Sequence, residues 1–73
     1  PLSSQGIHLT HRQLEVVKQL LQGKPNKIIA RELDLSEGTV KIHVAAIFKA
    51  LGVTNRTEAA VAAQRFGLNL GNA

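Results

Sequence analysis

The chain has 73 residues, a formal net charge of +4 and no cysteine. That is room for one small domain and not for two, and it excludes disulfides, thiolate metal sites and thiol chemistry. With 44% hydrophobic and 19% charged residues, the sequence is too apolar for a disordered tail.

No apolar run approaches the roughly 20 residues a membrane span needs. No charged-then-apolar leader is evident, so no membrane role and a cytoplasmic location are expected. The two aromatics, Phe48 and Phe66, argue against base stacking on single strands. Nine Lys and Arg against five Asp and Glu point to an anionic partner.

Residues 1–8 lack periodicity and read as a linker or chain edge. The first predicted helix starts at Thr10, with Gln13 completing a capping box and Leu9 and Leu14 as a possible hydrophobic staple. Leu14, Val17 and Leu21 then recur at helical spacing, with Val16 and Leu20 widening the stripe. Gly23 closes the helix.

A short second helix follows, with Pro25 suited to its first position. Ile29 and Leu33 lie one turn apart on it, as do Lys27 and Arg31 on a polar face. The pattern breaks at Asp34 and Leu35.

Ser36 caps a third helix, with Glu37 in its first turn. Val40, Val44, Ile47 and Leu51 form a seam at helical period, and Gly52 ends it. A fourth helix opens at Asn55, with Glu58 as the reciprocal acid and Thr54 as the other cap candidate. Its inner stripe is Ala59, Ala62, Ala63 and Phe66, and Gly67 terminates it. Residues 68–73 read as a frayed tail.

No segment of alternating period competes with these helices. The expected fold is therefore all-α: a compact four-helix bundle over residues 9–67. Helices two and three, joined by Asp34-Leu35-Ser36, make a helix-turn-helix candidate at about 25–44. In that geometry the first helix braces across phosphates. The second, at about 37–51, enters the major groove.

The face of helix three opposite its seam holds Gly38, Ile42, Ala45 and Lys49, flanked by Lys41 and Ala46. Small and apolar groups allow close approach to a groove floor. Ile42 and Ala45 suit thymine methyls, and Lys41 suits guanine O6 or N7. The plain alternative is a scattered surface isoleucine and solvated lysines.

These residues carry a resemblance. Leu9-Thr10, Arg12 and Glu15-Val16-Val17 are similar to the opening of the LuxR-type (GerE-type) DNA-binding domain. Gly23-Lys24-Pro25-Asn26-Lys27 with Ile29-Ala30 resembles its second segment. Leu35-Ser36, Thr39-Val40-Lys41 and His43 resemble its recognition helix, and Leu51-Gly52-Val53 with Asn55-Arg56-Thr57 its closing motif. The likeness runs from Leu9 to Phe66. It is strongest to the output domains of NarL/FixJ-type response regulators.

The resemblance implies transcription regulation by duplex DNA binding as a dimer. It puts Lys41, Ile42 and His43 near bases, and Asn26, Lys27, Ser36 and Thr39 near the backbone. Lys49 and Arg56 join the backbone candidates. Arg56 has two readings, phosphate contact or pairing with an acid. Ala45 stands where that branch can carry a second basic reader, so the preferred site is expected to differ. Pro25 replaces the commoner Ser, and Gln13 the usual Glu.

Helix four is, by resemblance, the homodimer contact, through Thr57, Val61, Gln64 and Leu68. The resemblance also implies an upstream regulatory domain, a receiver before a small-molecule sensor, and RNA polymerase as a further partner.

No enzyme is expected. Glu15 and Glu32 have no partner at a catalytic spacing, and the glycines read as helix caps rather than a phosphate cradle. No cofactor is expected. His8 and His11 straddle a cap without a third ligand, so no metal is expected either. The alternatives are a sigma-factor-like promoter reader, which shares the opening motif, and a protein-interaction bundle whose basicity is incidental.

Overall fold

The computed structural model describes residues 9–65. Four helices follow one another: α1 His11–Leu21, α2 Asn26–Leu33, α3 Glu37–Leu51 and α4 Arg56–Arg65. Among the described residues there is no strand. Phe66, Gly67 and Leu68, and the two terminal segments, lie outside them.

Each helix begins and ends where local chemistry dictates. At α1 the Thr10 Oγ1 accepts from the Gln13 N–H at 3.1 Å, and the Thr10 N–H donates to Gln13 Oε1 at 2.9 Å. That box satisfies two donors the first turn would otherwise leave open. Gly23 leaves α1 with φ +82°, a conformation glycine adopts without steric cost.

Pro25 sits one position earlier than the sequence suggested. It is the N-cap of α2 and lends no side-chain hydrogen bond. At α4 the Asn55 Oδ1 accepts from the Glu58 N–H. Glu58 does not return the bond to Asn55. Its Oε1 accepts instead from the N–H and Oγ1 of Thr54, so the two cap candidates share the task.

The α2–α3 turn contains the one non-glycine left-handed residue among those described, Asp34 at φ +59°. Asp tolerates this region better than most residues. The turn closes with the Leu35 N–H donating to the Ala30 carbonyl at 2.8 Å, and Leu35 packs against the core. This is the Schellman arrangement. It redirects the chain from α2 into α3 within three residues.

The core draws on all four helices. Val16, Val17 and Leu20 come from α1, and Ile29 and Ala30 from α2. Val40, Val44, Ile47 and Leu51 come from α3, and Ala59, Ala62 and Ala63 from α4. Helix α3 packs on each of the other three, whereas the body of α4 lies against α1 and α3 and not against α2.

No polar or charged side chain is buried among the described residues, so cohesion is apolar. Each fully buried Ile or Val contributes about 1.5–3 kcal/mol relative to exposure. The α1 stripe is rotated from its expected centre. Leu14 and Leu21 are only half-buried and flank the contact.

Candidate nucleic-acid interface

The inner seam of α3 pins that helix against the rest of the bundle. Its opposite face is therefore left to solvent along its whole length. Gly38, Lys41, Ile42, Ala45 and Lys49 are all exposed there. Ile42 keeps 70% of its surface in water. Small domains scatter single apolar residues outside. This one stands mid-face on a helix, between Gly38 and Ala45, where nothing bulky blocks approach.

Thr39 and His43 are half-buried at the edge of this face, and Ser36 is exposed just before it. The Ser36 hydroxyl is occupied. Its oxygen accepts from the Thr39 N–H at 3.0 Å, and it donates to Thr39 Oγ1 at 2.9 Å. That leaves the Thr39 O–H as the donor available to an outside acceptor. Ser36 therefore builds the helix start, and Thr39 faces outward from it.

An open cleft of about 510 Å³ adjoins the start of α3. Gly23, Pro25, Asn26, Lys27, Glu37, Lys41 and Arg56 line it. Three cations thus face one carboxylate. Lys27 and Lys41 make no ion pair among the described residues, whereas nearby Lys24 is held by Glu32 at 2.7 Å. The α2 start, with no side chain capping it, opens beside the cleft. Helix starts present free N–H groups and favour anions.

Arg56 is the backbone candidate whose surroundings differ most from expectation. Its Nη1 donates to the Lys24 carbonyl at 3.0 Å, and its Nη2 donates to Asn26 Oδ1. It is half-buried, engaged within the chain and paired with no acid among the described residues.

On α4 the residues Thr57, Val61 and Gln64 are exposed, and Val61 keeps 55% of its surface. Leu68, the fourth member of that stripe, lies outside the described residues. So does His8 of the sequence's histidine pair. Among the described residues no group of three metal-ligating side chains gathers, and no helix is long and apolar enough to cross a membrane.

Residues 8–63 match the family model described as bacterial regulatory proteins, luxR family. The chain is 49% identical over 53 residues to the nitrate/nitrite response regulator protein NarL of Escherichia coli K12, covering 73% of this chain and 24% of that protein. It is 44% identical over 64 residues to the transcriptional regulatory protein LnrK of Bacillus subtilis 168, covering 88% of this chain and 29% of the other.

Among solved structures, the response regulator ChrA of a heme-sensing two-component system superposes with a TM-score of 0.75 at 44% identity. The match covers 81% of this chain and 30% of ChrA. The chain thus spans less than a third of the length of each of these relatives.

Proposed function

The chain belongs to the luxR family of bacterial regulatory proteins, and from that premise we propose that it binds duplex DNA sequence-specifically, with α3 in the major groove. The observation that carries this reading is the outer face of α3. It is a continuous exposed strip of small, apolar and lysine side chains. The major groove is about 12 Å wide and admits one helix. A strip of this kind brings the helix axis close to the base edges.

Lys41, Ile42, Ala45 and His43 are the proposed base readers. Lys27, Thr39, Asn26 and Lys49 meet the backbone, and Ser36 acts through the helix start it builds. Phosphate contacts set position while the few base contacts specify. The cleft's cations and the uncapped α2 start support this division.

The descriptions of NarL and ChrA as response regulators support a further reading, that the chain is the output domain of a longer regulator with a receiver domain. Val61, exposed on α4, supports a homodimer through that helix. A patch this small gives a weak contact, and paired half-sites on DNA would reinforce it. Val61→Asp should leave the fold intact and abolish cooperative binding to paired half-sites. Unaltered cooperativity would reject α4 as the contact. RNA polymerase is the partner such a regulator addresses.

The direct test is titration of a labelled duplex at rising salt. Counterion release predicts affinity falling steeply and linearly on logarithmic axes. Absence of duplex binding at low salt would overturn the proposal and favour a protein-binding bundle.

A further inference from the structure

Arg56 does not behave as a surface cation. Every other side-chain hydrogen bond among the described residues joins positions eight or fewer apart. The two from Arg56 span 32 and 30 residues. Helix α4 does not pack on α2. Arg56 therefore forms the hydrogen-bonded tie between the start of α4 and the turn that launches α2.

The tie has a chemical consequence. A guanidinium carries donors and no acceptor. Asn26 must therefore turn its Oδ1 toward Arg56, which leaves the amide N–H₂ for the cleft that Asn26 lines with Lys27 and Lys41. A phosphodiester offers only acceptors. An unrestrained amide would spend part of its time presenting its oxygen, which repels a phosphate.

We infer that Arg56 is a positioning residue for DNA binding. It fixes the flip and placement of the Asn26 amide, so that the Asn26 N–H₂ donates to a backbone phosphate seated in the cleft, and it does not itself touch DNA. The inference rests on the DNA-binding reading above and gives Arg56, a backbone candidate from the sequence, a different role. The fork geometry matters. Lysine keeps the charge but cannot bridge two acceptors in fixed directions.

The test compares wild type, Asn26→Ala, Arg56→Lys, Arg56→Met and the Asn26→Ala/Arg56→Lys double variant on one short labelled duplex, over a range of salt. Melting curves check folding. A hydrogen bond to a charged acceptor is worth enough that each of Asn26→Ala and Arg56→Lys should weaken binding on the order of tenfold. The double variant should lose no more than the weaker-binding single. The salt slope of Arg56→Met should equal that of wild type.

Arg56→Lys binding as well as wild type would overturn the inference. So would losses that multiply in the double variant, or a slope lowered by about one in Arg56→Met, the mark of a direct phosphate contact.

Asn26→Asp guards against loss of fold in the arginine variants. It keeps an acceptor for Arg56 but has no N–H₂, so it should stay folded and bind weakly. Wild-type affinity in Asn26→Asp would also reject the idea. Wild-type protein that ignores the duplex at every salt concentration would instead remove the DNA-binding reading itself, and this inference with it.

Discussion

The two faces of α3 are made from similar residues and do opposite things. Val40, Val44, Ile47 and Leu51 are buried on one side, while Ile42 and Ala45 stand exposed on the other. The inner face is bound by volume, since packed interiors respond to a single methylene. The outer face is bound only by the proposed partner. Stability and recognition therefore sit on one helix but should separate cleanly under mutation.

The largest effect is expected on the inner face. Ile47 is fully buried, and Ile47→Ala should cost about 2–5 kcal/mol of stability, read from denaturant unfolding. A change within experimental error would mean α3 is not the hub of the core. Any loss of DNA affinity in this variant should track the unfolded fraction.

On the outer face, Lys41→Ala should leave the melting temperature unchanged and weaken binding to the preferred duplex by about 1–3 kcal/mol if Lys41 reads a base. An equal loss on every sequence would move Lys41 to the phosphate contacts. Lys27→Ala, at the rim of the cleft, should weaken binding uniformly across sequences and lower the salt slope by about one. An unchanged slope would take Lys27 out of the interface.

The smallest effect is expected where the two faces are set relative to the rest. Asp34 holds a left-handed conformation in the turn, and Asp34→Gly should raise stability by up to about 1 kcal/mol. Asp34→Ala should lower it. A loss in the glycine variant would show that the aspartate side chain contributes more than its backbone strain costs.

Much of the fold is legible in the sequence because its determinants are local. Thr10 with Gln13, Ser36 before Glu37, and Gly23 and Gly52 mark helix ends by single residues or by groups no more than three positions apart. The α3 seam is legible because four apolar residues recur at one period.

The α1 stripe was legible only as a stripe. It is wide enough that periodicity does not say which edge meets α3, and Leu14 fell on the outer one. Asp34 was legible as a break but not as a left-handed cap, since glycine is the residue that advertises that conformation.

The candidate site divides the same way. The α3 outer face follows from helical geometry once the seam is known. The Arg56 tie to Asn26 does not, because the partners lie 30 residues apart and no local pattern joins them. Only the packing of α4 beside α1 and α3 brings its start to the α2 turn.

The measurement that tests the central claim most directly is selection of bound duplexes from a random DNA library by this chain, at near-physiological salt. The account predicts one enriched motif, inverted, with half-sites about one helical turn apart, and loss of that enrichment in Lys41→Ala. Equal retention of all sequences would contradict it, leaving a basic helical bundle whose outer α3 face reads nothing.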